Sequence, residues 1–206
     1  MNTEALALDT KKLFAKMAKV GLPENFYLSG GTALALHLGH RESVDLDFFS
    51  QEEFEPEKVQ RLLEKEFQLE EITIDSGTLN CYADKMKLQF LFYPYKLLED
   101  PTVLEGISVS SVQDIACTKL LTISSRGSKK DFIDLYFIFE LFSLPELFEL
   151  LKKKYSEQDY NLLHILKSLV YFDDAEGQPS PRMHKEVSWI TVKNVIGQNV
   201  KSTEIL

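Results

Sequence analysis

Ser29-Gly30-Gly31-Thr32, then a short apolar run, then Asp45-Leu46-Asp47-Phe48-Phe49 form the stretch on which the fold turns. Val44, Leu46 and Phe48 alternate with Asp45 and Asp47, the period-two pattern of a strand with one face buried. Both aspartates therefore point to the same face, with Cα atoms about 6.5–7 Å apart. Two hard oxygen ligands at that spacing suit Mg²⁺ or Mn²⁺, with water and phosphate completing the coordination. A calcium loop is excluded, because neither the glycine nor the distal glutamate of an EF-hand follows.

Working back from the acidic pair, Phe26-Tyr27-Leu28 reads as a short apolar strand and Thr32-Ala33-Leu34-Ala35-Leu36-His37-Leu38 as a helix of good helix formers. Gly30 and Gly31 stand at the junction. Such an opening leaves backbone N–H groups at the positive end of a helix, where an anion is favoured, and Thr32 adds a hydroxyl. The polar turn Gly39-His40-Arg41-Glu42-Ser43 returns the chain to the aspartate strand. Alone, a glycine pair is a turn and an Asp-x-Asp is a solvated strand face. In this order and hydrophobic framing they point to an anion site beside a cation site.

The chain has 206 residues, 44% of them hydrophobic and 27% charged, the composition of an ordinary globular protein able to bury a core. No apolar run is long enough to span a membrane. Met1-Asn2-Thr3-Glu4 lacks the basic start of a signal peptide. Cys81 and Cys117 stand apart and fit neither a disulfide framework nor a zinc site, so a reducing cytoplasm is the expected setting. A formal net charge of −9 opposes non-specific nucleic-acid binding and leaves room only for a local basic groove. Cations do cluster at Arg126, Lys129 and Lys130, and at Lys152-Lys153-Lys154, where they suit a helix C-terminus.

Residues 4–20 are predicted as an amphipathic helix stopped by Gly21 and Pro23. Pro56 starts a helix running to about Phe67, and strands are predicted at 69–74, 79–83 and 87–93. After Pro94 the character becomes helical, with helices predicted at about 111–124, 130–143, 146–155, 159–171 and 183–197. The expected architecture is α/β (α+β): a mixed sheet flanked by helices over residues 1–105, followed by a mostly helical half over 106–206.

The helical half holds a second constellation. Lys119 interrupts an apolar helical run, either snorkelling to the surface or serving a site. Asp131 and Asp134 share a helical face, either solvated or paired with Arg126 or Lys130.

Gly30-Gly31-Thr32 through Asp45-Leu46-Asp47-Phe48-Phe49 resembles the first motif of polymerase-β-type nucleotidyltransferases. More narrowly, the string from Gly30 to Ser50 resembles the AbiEii/AbiGii toxin family, associated with abortive phage infection and toxin–antitoxin pairs. The match is dense over residues 28–50 and weaker to about residue 140. The resemblance implies a polymerase-β-like core, a nucleoside triphosphate substrate, and a metal held by Asp45 and Asp47. It implies phosphate contacts from Gly30, Gly31, Thr32, Arg41, Lys119, Arg126 and Lys130. It further implies that Lys119 reaches the nucleotide phosphates and that Asp131 or Asp134 completes the site. An RNA end such as tRNA, or a protein side chain, is the implied acceptor, and a cognate antitoxin the implied partner. One departure stands out: Gln89 occupies the strand position where such enzymes carry a third carboxylate, which leaves the general base unassigned and keeps open a nucleotide- or partner-binding module without turnover.

Overall fold

The structure is a computed structural model and describes residues 1–203; the last three positions of the half expected over 106–206 lie outside it. A seven-stranded mixed sheet has the order β3-β4-β5-β2-β1-β7-β6. Its central strand is β2 (Leu46–Ser50), antiparallel to β1 (Phe26–Ser29) on one side and parallel to β5 (Met86–Phe92) on the other. The helix between the first two strands, α2 (Gly30–Leu38), together with the short polar return, reverses the chain. The alternation read from the sequence is kept. Leu46, Phe48, Leu88 and Phe90 are buried on one face of the sheet, towards α1 (Leu8–Val20) and α3 (Pro56–Leu63). Asp47 and Gln89, register partners, face the other way.

The remaining strands are β3 (Leu69–Asp75), β4 (Thr78–Ala83), β6 (Thr102–Leu104) and β7 (Ile107–Val109). β6 and β7 escape the sequence reading because three residues carry too little alternation to register. Glu105 and Gly106 join them with φ of 50° and 86°, the positive pair of a tight hairpin turn. The division drawn between residues 105 and 106 falls on that turn. The sheet runs past it, since β7 pairs with β1 through Leu28 and Val109.

The helical region comprises α4 (Val112–Arg126), α5 (Lys129–Ile138), α6 (Leu144–Lys154), α7 (Leu162–Leu169), α8 (Asp173–Glu176) and α9 (Trp189–Ser202). Side-chain caps set several starts: Ser111 accepts from the Asp114 amide, Asn161 from that of His164, and Ser188 from that of Thr191. Three predicted helices begin too early; the one expected from about 159 starts at Leu162, after its cap Asn161. The first does not start at residue 4, because Ala7 is extended (φ −57°, ψ 154°) and Leu6 bridges to Ser43; α1 begins at Leu8, whose side chain is exposed. The last does not start at 183, because Met183 bridges to Arg41 and the following residues run as a strap over the His40–Glu42 return. α4 packs against α2, α5, α6 and α7, and its buried residues join the same cluster as those of the strands, so sheet and helices share one core. Among the described residues, no helix is long and apolar enough to cross a membrane. Both cysteines are free and buried.

Candidate active site

Asp45, Asp47 and Phe49 project from one face of the β2 segment, and Lys87, Gln89 and Leu91 from the same face of β5. α4 and the start of α5 lie over them, and the space between is a cavity of about 560 Å³. Gly30, Gly31, Arg41, Asp45, Asp47, Lys119, Arg126, Lys130 and Asp131 all line it. The glycine turn and the acidic pair therefore meet across one cleft.

Both glycines are dictated by close approach. Gly30 has φ +67°, and a Cβ there would stand 2.6 Å from Asp47 Oδ2. A Cβ on Gly31 would stand 2.7 Å from Arg41 Nη2. Bare main chain at the first turn of α2 thus borders the carboxylates, with N–H groups that have no partner within the helix. Thr32 is a different case. It is buried, and its hydroxyl donates to the Asp45 carbonyl with the Ser43 hydroxyl 2.8 Å away. The expected phosphate contact from Thr32 is therefore replaced by a structural one: the hydroxyl ties α2 to the return that carries Asp45.

Burial, reinforced by the charge of Asp45, raises the Asp47 carboxyl above its usual range. Lys130 Nζ lies 3.9 Å from Asp45 Oδ2 and is half-exposed, a weak counterion. A half-buried carboxylate that resists ionisation beside a second one is suited to a divalent cation. Among the described residues no group of three His, Cys, Asp or Glu stands in a metal-holding arrangement. Two carboxylates alone would hold a cation only with further oxygens from phosphate and water, the manner in which Mg²⁺ is commonly bound. Gln89, beside Asp47 in register, supplies an amide where a third carboxylate would stand.

Lys119 does not snorkel. It is 6% exposed, and Nζ lies 2.6 Å from both Asp131 Oδ1 and Asp134 Oδ2. Burial alone would lower its pKa, but Asp134 and Asp131 outweigh it and raise it. Asp131 takes Lys119 on one oxygen and the Ser128 hydroxyl, at 2.5 Å, on the other, so it caps α5 while facing the cavity. Despite burial, Lys119 and Ser128 hold its carboxyl below the usual range. Asp134 lies behind the cavity lining and is fully enclosed. Arg41 grips it with Nε at 2.6 Å and Nη2 at 2.8 Å, and His40 Nε2 lies 2.8 Å away. Burial would raise the Asp134 carboxyl, but Lys119, Arg41 and His40 keep it well below the usual range. The expected alternatives for Asp134, a solvated face or a pair with Arg126 or Lys130, give way to an internal anchor with both oxygens occupied by Lys119, Arg41 and His40. Arg41, expected at phosphate, has its fork turned onto Asp134 and presents only an edge to the cavity. Arg126 and Lys130 are exposed at the rim.

Sequence reasoning missed His40, Ser43, Lys87 and the aromatic end of the cavity at Phe49, Tyr93 and Tyr95. Lys87 and Phe49 were within reach: each lies two residues from a named site position on an alternating strand. His40 was not, because nothing in a polar turn announces a ring buried against a carboxylate 94 residues away.

A family model described as nucleotidyl transferase AbiEii toxin, type IV toxin–antitoxin system, matches residues 11–188, well beyond the residue 140 reached by resemblance. An uncharacterised protein of Aquifex aeolicus (strain VF5), aq_aa25, is 37% identical over 202 residues, covering 95% of this chain and 96% of that protein. A solved structure of a putative nucleotidyltransferase from Helicobacter pylori superposes with a TM-score of 0.60 at 18% identity, over 98% of this chain and 95% of that one. MenT4, nucleotidyltransferase toxin Rv2826c of Mycobacterium tuberculosis H37Rv, superposes with a TM-score of 0.54 at 14% identity, over 96% and 87% of the two chains.

Proposed function

The chain belongs to the AbiEii family of nucleotidyl transferase toxins, and we propose that it moves a nucleoside monophosphate from an NTP to an acceptor hydroxyl, using Mg²⁺ or Mn²⁺ held by Asp45 and Asp47. The observation that carries this reading is the meeting of Asp45 and Asp47 with the bare Gly30–Gly31 turn across one cavity, Asp47 Oδ2 lying where a Gly30 Cβ would intrude.

The main-chain N–H groups at the start of α2 bind the β- and γ-phosphates. When bound, the cation supplies positive charge to the oxygens around the reacting phosphorus. Lys119, fixed by Asp131 and Asp134, faces the charge that builds on the leaving pyrophosphate. The acceptor oxygen bonds to the α-phosphorus, and the bond from that phosphorus to the bridging oxygen of pyrophosphate breaks. The acceptor proton passes to water: Asp131 is engaged on both oxygens and Gln89 takes no proton. Transfer through a loose transition state makes small demands on a base, so positioning and charge carry the rate. Arg126 and Lys130, exposed at the rim, suit the phosphates of an RNA acceptor such as a tRNA end. A type IV toxin–antitoxin family implies a cognate antitoxin.

The test is incubation with each α-labelled NTP, Mg²⁺ or Mn²⁺, and total cellular RNA. Label on RNA identifies donor and acceptor class, and label on the protein identifies self-modification. Asp45→Asn with Asp47→Asn lowers transfer by about 10³-fold or more, and undiminished transfer removes the mechanism. Gln89 in the third position supports a second reading, a nucleotide-binding module without turnover. NTP binding with no labelled product under either metal selects it.

A further inference from the structure

The proposed chemistry uses the polar end of the cavity and leaves its other end without a task. β2 and β5 run in parallel under α4, and their cavity-facing residues change character along the strands. Asp45 and Asp47 give way to Phe49, and Lys87 and Gln89 to Leu91 and then Tyr93. At about 3.3 Å per residue, Phe49 lies about 6.6 Å beyond Asp47, and Tyr93 about 13 Å beyond Gln89. The groove thus runs from a charged end to an aromatic end over the reach of a nucleotide.

The aromatic end is prearranged. Phe49 and Tyr93 rings lie 4.9 Å apart, Tyr93 and Tyr95 4.7 Å, and Tyr95 and Tyr155 4.8 Å. Tyr93 and Tyr155 hydroxyls touch at 2.5 Å, while Gln51 donates to the Tyr95 carbonyl at 2.9 Å. Tyr95 is therefore held edge-on between two rings while remaining partly exposed to the cavity. The roof is less polar than its composition. Thr118 donates its hydroxyl to the Asp114 carbonyl and Thr122 to that of Thr118, so both donors are spent within α4. Lys154 lies over the Tyr93 and Tyr155 rings at 6.0 and 5.9 Å, but it is buried and its charge is taken up by Asp114 at 2.6 Å. A planar aromatic slot of this kind fits a heterocyclic base.

We propose that this end of the groove is the nucleobase platform of the donor NTP, with Tyr95 the ring on which the base stacks. The inference rests on the proposed transferase reading, since it takes the α-phosphate to sit at Asp45 and Asp47. The acceptor is assigned to the charged end, where the exposed Lys130 lies 3.9 Å from Asp45 Oδ2.

Calorimetric titration of the full chain in Mg²⁺ with an NTP, base-less ribose 5′-triphosphate and inorganic triphosphate tests this. Wild-type protein binds the NTP more tightly than the base-less compound, and equal affinities overturn the platform without needing a variant. Tyr95→Ala weakens the NTP by about 10-fold and leaves inorganic triphosphate unchanged, and Tyr95→Phe retains wild-type affinity for both. An NTP affinity unaffected by Tyr95→Ala, or an equal loss for NTP and inorganic triphosphate, overturns the proposal while the phosphate and metal end stands. Failure of wild-type protein to bind either triphosphate brings down the transferase reading and the platform with it.

Discussion

Asp47 is a half-buried carboxylate in the cavity and Asp134 an enclosed one behind it, and their surroundings shift them in opposite directions. Asp134 meets Lys119, Arg41 and His40 within 2.8 Å. Removing its charge strands Lys119 and Arg41 in the interior, so Asp134→Asn costs about 3–5 kcal/mol of stability at pH 7, read by urea denaturation. Its pKa is depressed in the folded chain, so its contribution is complete above the ordinary value of 3.8 and is lost as pH falls through the lower folded value. The stability gap between wild type and Asp134→Asn therefore closes in strongly acid solution and holds from pH 5 to 7. Asp47 is raised by burial and by Asp45, so its ionised form strains the metal-free fold, absent below pH 3.8 and fully developed once pH exceeds the raised value. Asp47→Asn raises the melting temperature of metal-free protein at pH 7 while abolishing transfer, a trade expected where function needs mutually repelling charges. The acidic pair is legible in the sequence because alternation alone sets its direction. The partners of Asp134 are not, because a carboxylate on one helix is matched by a turn 93 residues earlier and nothing local encodes that meeting.

At the level of elements, the start of α2 combines backbone conformation with packing. Gly30→Ala puts a side chain on a residue at φ +67°, costing about 1–2 kcal/mol, and places a methyl 2.6 Å from Asp47 Oδ2. The carboxylate must swing out of the cavity, so Gly30→Ala lowers NTP transfer by about 10-fold or more, out of proportion to its lower melting temperature, as single-turnover assays at saturating NTP will show. A transfer rate matching wild type at a temperature where both are folded contradicts this account of the turn. Elements with strong periodicity or explicit punctuation were readable: β2 through its alternation, α3 through Pro56, α4 through Ser111 and Asp114. The β6–β7 hairpin and the strap were not. Their conformation comes from pairing with distant main chain, where Glu42 N donates to the Arg182 carbonyl and His184 N to that of His40. The strap matters to the site because it closes over the same His40–Glu42 return that presents Arg41 to Asp134.

For the whole molecule, the question is whether the sheet and the helical region behave as one cooperative unit. Composition changes after Pro94 and suggests two halves, but the contacts argue for one. β7 belongs to the sheet by pairing and to the helical half by sequence. α4 packs on α2 as well as on α5, α6 and α7, and the buried Lys154–Asp114 pair at 2.6 Å, with Lys154 also donating to the Lys96 carbonyl, ties α6 to both α4 and the chain leaving the sheet. The site itself needs both parts, since Asp45 and Asp47 come from one and Lys119 from the other. The chain provides a local reporter in its single tryptophan, Trp189, which packs near Phe132 and Phe172 at ring distances of 6.0 and 5.8 Å. Urea unfolding followed by Trp189 fluorescence will therefore coincide in midpoint and slope with unfolding followed by far-UV circular dichroism, which reports sheet and helices together. A fluorescence transition that precedes the dichroism change shows the helical region melting off an intact sheet. Lys119 would then leave the carboxylates before the fold is lost, and transfer activity would follow the fluorescence curve rather than the dichroism.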